Sequence, residues 1–253
     1  MVKHSVLFLI VSLLSSISMG RQTPEFDLVK QEWLNKANQH VEDEKIKFLA
    51  SFGLNKALLN NREAIEGLRS SHDQMVQEEI QQYEKKAAAV DESIQNLANQ
   101  VFKEYEVKVV HDEECEFEDI FVTQNYETGI CYVGLNCSKH QSNLELLKKI
   151  LYHERSHIIH EDNFNKELIQ CIAWVNSHDS HDEIAEKSLL YCTAFEIRAD
   201  THAVLNSSDN GKQYYRFLQK LPEDPCMSER LAWLKELIGD LNTRESNPES
   251  KVH

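Results

Sequence analysis

Residues Ser142–His160 read Ser-Asn-Leu-Glu-Leu-Leu-Lys-Lys-Ile-Leu-Tyr-His-Glu-Arg-Ser-His-Ile-Ile-His. Ser142 and Glu145 stand three apart ahead of an apolar run. That spacing predicts a capping box that opens a helix running to about His160. On such a helix His153 and His157, four residues apart, share one face. Both imidazoles can then reach one Zn²⁺ at about 2.0–2.1 Å. Glu154 projects beside that position, where it can take a proton from zinc-bound water without ligating the metal.

Two histidines leave a catalytic zinc one protein ligand short, because such sites use three and keep a position open for water. Metzincins place a third histidine six residues beyond the second motif histidine, with a glycine midway. Here those positions are Asn163 and His160, which excludes that class. The alternative is a carboxylate from a later helix. Phe195-Glu-Ile-Arg-Ala-Asp200 supplies one, downstream of a second capping box at Ser180 and Glu183 that predicts a helix to about Leu205. Glu196 and Asp200, again four apart, face the same way. Glu196 can ligate the metal while Asp200 accepts the outer N–H of a ligand histidine and fixes its tautomer.

Working outward, Val107–Val110, Ile120–Thr123 and Ile130–Leu135 are short β-prone runs. They are expected to form a small antiparallel sheet ahead of the motif helix. Further helices are expected over about Asn165–Asn176 and Ser228–Ile238, with a polar tail from Asn242. Pro24–Tyr105 is helical in pattern, with breaks near Ser51–Gly53 and Ser70–Ser71. Within the last of its three expected helices, over 74–105, Ile80, Tyr83, Ala87, Val90, Ile94, Leu97 and Val101 form an alternating three–four seam. That seam suits either a hairpin within the chain, against residues such as Trp33, Phe48 and Leu58, or a coiled coil with a partner or a second copy.

The combination of His-Glu-x-x-His with a downstream Glu-x-Arg-Ala-Asp resembles the gluzincin metallopeptidases of the HtpX and CaaX-prenyl-protease type. Asp224-Pro225 followed by Arg230 is similar to that family's His-Pro pair with an arginine five residues beyond the proline, opening a terminal helix. The likeness spans about 106–238. It implies a zincin-like α+β catalytic domain, a single Zn²⁺ on His153, His157 and Glu196, Glu154 as general base and Asp200 as the partner of a ligand histidine. The implied activity is endopeptidase cleavage of a peptide or protein substrate. Asp224 departs from the family at the histidine of its pair. The rival expectation is a secreted binding or structural protein whose zinc site is vestigial or purely structural.

Composition bounds both readings. The 253 residues include only 7 glycines and 4 prolines, too few turn-formers for a barrel or propeller of many short strands. A mostly α fold with a small β-sheet is expected instead. With 42 acidic against 27 basic residues the net charge is −15, which argues against a nucleic-acid partner. Lys3, the apolar run Val6–Leu14 and the small residues to Gly20 read as a secretory signal over 1–20. Its cleavage would leave an exported protein, periplasmic or secreted, without a stable membrane span. The expected organisation is then a helical segment over 21–105, a metallopeptidase domain over 106–240 and a flexible tail over 241–253. An even count of six cysteines in an exported chain predicts up to three disulfides.

Overall fold

The computed structural model describes residues 24–54, 62–86, 90–114, 120–222 and 225–246. The expected signal segment over 1–20, Leu58 and Cys115 lie outside them. Among the described residues no helix is long and apolar enough to cross a membrane.

The molecule is mostly helical around a three-stranded sheet. In chain order the elements are α1 (Pro24–Ser51), α2 (Arg62–Lys86), α3 (Glu92–Val101), β1 (Val107–His111), β2 (Phe121–Gln124) and β3 (Cys131–Leu135). There follow α4 (Cys137–His140), α5 (Leu144–Ile159), α6 (Asp162–Asn176), α7 (His181–Lys187), α8 (Leu189–Leu205), α9 (Lys212–Leu218) and α10 (Met227–Ser246).

The sheet order is β1-β3-β2, with β1 parallel and β2 antiparallel to β3. This corrects the all-antiparallel expectation. β2 and β3 form a hairpin, and β1 takes the far edge of β3, parallel to it. Every residue of β3 is buried, as suits a strand covered on both faces. On one face Ile94 and Val101 of α3 and Leu147 and Leu151 of α5 pack against Val107, Val109 and Val133. On the other, Ile80 of α2 meets Val110 and Tyr132.

The seam expected along one helix over 74–105 is therefore divided. Asp91 interrupts it, accepting a hydrogen bond from the Ser93 N–H and capping α3. Ile80 and Ile94 then bury themselves on opposite faces of the molecule's own sheet. These seam residues are used within the chain, as in the hairpin reading, although their partner is the sheet and not α1. The break expected at Ser70–Ser71 does not occur. Ser71 instead donates its hydroxyl to the Gly67 carbonyl at 3.1 Å, and α2 continues through it.

The cysteines also correct an expectation. Cys131, Cys137, Cys171 and Cys192 are free thiols, so a framework of three disulfides is not formed. Cys131 behaves as an apolar residue in the sheet core, where burial pushes its thiol up to about 12. At the C-terminus, Leu241 is buried and α10 continues to Ser246, where a tail was expected.

α8 is the axis of the helical part. It is buried almost all the way round, from Tyr191 to Leu205. α1 runs antiparallel to it: Val41, Phe48 and Leu49 meet Tyr191, Ala194 and Phe195, while Val29 and Trp33 join the cluster holding Ala203 and Val204. α5 and α10 pack on its remaining sides. The small side chains Ala37, Ala194, Ala199 and Ala203 are fully buried, which lets these helices approach closely.

Candidate metal centre

α5 opens on Asn143, one residue later than the Ser142 box predicts. The Asn143 side chain accepts from the Leu146 N–H and also from the Gln213 side chain at 3.1 Å. Lys149, buried on the same helix, donates to Asp209 at 2.8 Å and to Gln213 at 2.9 Å. Those bonds tie α5 to the start of α9, where Gly211 sits at φ 77°. A Cβ on Gly211 would lie 2.5 Å from Val204 of α8, so glycine permits both the turn and the close approach. The capping box at Ser180 and Glu183 is present as expected. The helix it opens is divided at Ser188 into α7 and α8.

These constraints bring the predicted ligands together. His153 Nε2 and His157 Nε2 are 3.1 Å apart. Glu196 places Oε2 3.3 Å from the first and Oε1 3.5 Å from the second. His153, His157 and Glu196 thus form a group that can hold a metal ion. A tetrahedral ion with bonds of about 2.0–2.1 Å separates its ligand atoms by roughly 3.3 Å, which the three spacings match.

The outer nitrogen of each imidazole is also engaged. His153 Nδ1 lies 2.9 Å from Asp200 Oδ1 and 3.0 Å from the Tyr214 hydroxyl, which donates to the same Asp200 oxygen at 2.8 Å. Arg230 donates to both Asp200 oxygens, at 2.8 and 2.9 Å, and its Nη1 lies 3.2 Å from Glu196 Oε2. His157 Nδ1 lies 2.9 Å from Asp162 Oδ2, and the other Asp162 oxygen accepts from Arg198. The carboxylate on each Nδ1 turns both Nε2 atoms towards Glu196.

The charges follow from this arrangement. Burial disfavours ionisation of Asp200, but Arg230 and His153 outweigh it and hold the carboxyl below its usual range. Burial and then Asp200 push the Tyr214 hydroxyl well up, so it stays a donor. Burial opposes a charge on His153, yet hydrogen bonds to Asp200 and Glu196 carry it to about 10. Glu154 is half-buried. Burial raises its carboxyl, while His153 and His157 lower it and Glu196 raises it further.

Around the centre, Tyr191 is core against Phe48, and Tyr152 packs partly against the sheet cluster. In the segment His178–Asp182, Asp179 pairs with Lys187 and His181 stacks on Trp174, and no second metal group forms among the described residues. His160 faces His202 at 5.6 Å between ring centroids, and its Nε2 is buried without a partner among the described residues. Burial first and then Arg198 push His160 down to about 3 and His202 to about 4, with His157 beside both and Arg155 and His153 further lowering His202.

Both folded values lie below the ordinary 6.5, so between pH 6.5 and 4 the unfolded chain binds more protons than the native one. The stability these rings contribute is complete above pH 6.5 and is lost as pH falls towards 4. The melting temperature of the chelator-treated protein should drop across that window, and His202→Gln should flatten the drop. An unchanged slope in the variant counts against the pair as its source.

Asp162 is the residue that motif spacing did not reveal. It opens α6 after a reversal at Glu161, and no helical period connects it to His157. No family model matches the chain, and no curated protein or solved structure matches it either.

Proposed function

We propose that the protein is a zinc-dependent endopeptidase. The observation that carries the reading is the convergence of the three side chains His153, His157 and Glu196 at tetrahedral spacing, with Glu154 next to His153 in the chain and outside the ligand set. Two histidines and one carboxylate suit zinc, and three protein ligands leave a coordination position for water or substrate. A structural zinc site would call for a fourth protein ligand, and none joins this group among the described residues. The resemblance to the HtpX-type peptidases points the same way.

Zinc held there would polarise the scissile carbonyl and make a water acidic enough to attack it. Glu154 takes the proton from that water at its carboxylate and delivers it to the leaving amine nitrogen as the C–N bond breaks. Asp200 and Asp162 hold the two imidazoles so that Nε2 faces the metal.

A substrate strand needs a free sheet edge. The outer edge of β1 is closed: the Gln95 side chain donates to the Val107 carbonyl and accepts from the Val109 N–H, each at 3.0 Å. β2 is the other edge. Asn125 donates to the Ile130 carbonyl, so in the antiparallel register Thr123 and Phe121 also face β3. Val122 and Gln124 therefore turn their backbone groups outward. We place the extended substrate there, along α5, with which β2 is in contact.

Purified protein should carry about one zinc per chain and cleave an unstructured protein such as casein. Removal of zinc by a chelator should abolish cleavage, and stoichiometric zinc should restore it. Full cleavage by zinc-free protein rejects the proposal.

A further inference from the structure

We infer that Asp162, keyed by Arg198, is a positioning residue of the metal centre that fixes His157 as the Nδ1–H tautomer. This rests on the reading of His153, His157 and Glu196 as metal ligands. Asp162 is 2% exposed, and its two oxygens are divided between two tasks. Oδ2 takes the His157 Nδ1–H at 2.9 Å, and Oδ1 takes Arg198 Nη2. A carboxylate used in this way orients the ring, leaves the Nε2 lone pair on the metal side and makes the imidazole a better donor.

The backbone is bent to put it there. Glu161, immediately before Asp162, has φ 52° and ψ 41°, a left-handed conformation that a non-glycine residue adopts only where its surroundings hold it. Arg69 of α2 holds that corner through both Glu161 oxygens, at 2.9 and 3.1 Å, with its guanidinium over the rings of Tyr126 and Phe164. Without the reversal, α5 would carry on and Asp162 would not return to His157.

Arg198 gives the arrangement its logic. It stands two residues after Glu196 and two before Asp200 on α8. That one helix therefore addresses all three ligands: Glu196 directly, His153 through Asp200, and His157 through Arg198 and Asp162. Each histidine has its own carboxylate, and each carboxylate its own arginine.

The test is zinc affinity of the full-length protein, measured by competition with a chromogenic chelator. It is paired with melting of the zinc-free form. Asp162→Asn alone strands a buried arginine, so it is compared with the double variant Asp162→Asn/Arg198→Gln, in which no charge is left unpaired. Zinc affinity should fall by about 10–100-fold in the double variant, while its zinc-free melting temperature stays near wild type. Affinity within twofold of wild type would overturn the inference. Histidine-labelled wild-type protein offers a second readout that needs no variant. Its nitrogen spectrum with zinc should show His157 as Nδ1–H, metallated at Nε2, and a proton on Nε2 overturns the inference equally. Failure of wild-type protein to bind zinc at all is a separate result: it removes the metal reading, and this inference with it.

Discussion

Glu154→Gln should leave zinc bound at wild-type stoichiometry and lower peptide hydrolysis by roughly 10²–10⁴-fold, the usual worth of a positioned general base. The substitution keeps the volume of the side chain and its place on α5. It removes only the ability to take a proton from water and return one to the leaving amine. The ligands are untouched, because His153, His157 and Glu196 hold one another at 3.1–3.5 Å without help from Glu154. Zinc analysis and casein cleavage on the same preparation separate the outcomes. Retained cleavage with zinc bound would show that Glu154 is not the base. Loss of zinc would place its carboxylate among the ligands.

Much of this centre was legible in the sequence because its geometry is helical and local. His153 and His157 are one turn apart on α5, and Glu196 and Asp200 are one turn apart on α8. A period of 3.6 residues is enough to put each pair on one face. The strands were legible for a similar reason, since β-branched runs separated by turn residues mark them. What the spacing did not reveal depends on distant chain. Asp162 meets His157 only because the chain reverses at Glu161, and Arg198 reaches Asp162 from a different helix. Tyr214 reaches the centre from α9, whose docking depends on Lys149 and Asp209 far apart in the chain. The parallel pairing of β1 is likewise a matter of which edge remains free once β2 and β3 have formed their hairpin. At Asp91 two local signals competed, a continuing apolar seam and a capping side chain, and the cap prevailed.

The heaviest structural cost is expected at Asp200. Asp200→Asn should destabilise the zinc-free protein by about 3–5 kcal/mol, as when one partner of a buried ion pair is removed. For a chain of this size that corresponds to a fall in melting temperature of roughly 10 °C. Asp200 is fully buried and accepts from Tyr214, His153 and twice from Arg230. An amide has one acceptor oxygen to offer four donors, and its NH₂ would face a guanidinium. Arg230 would be left with Glu196 alone, at 3.2 Å, and would compete with the metal for that ligand. Folding and binding therefore suffer for different reasons, and a second substitution separates them. Arg230→Met added to Asp200→Asn removes the stranded cation, so stability towards urea in the presence of chelator should largely recover. Zinc affinity should not recover, because His153 still lacks its carboxylate, and a deficit of about 10–100-fold should persist. The sign of the pH dependence gives a further check. The folded carboxyl lies below its unfolded value, so its contribution is present throughout the range above pH 4 and is lost only in acid. Asp200 also holds His153 protonated, and that contribution declines as pH rises above 6.5, so the destabilisation by Asp200→Asn should be largest at pH 6 and shrink towards pH 8. A cost confined to the alkaline half of that range would mean that some other group carries it.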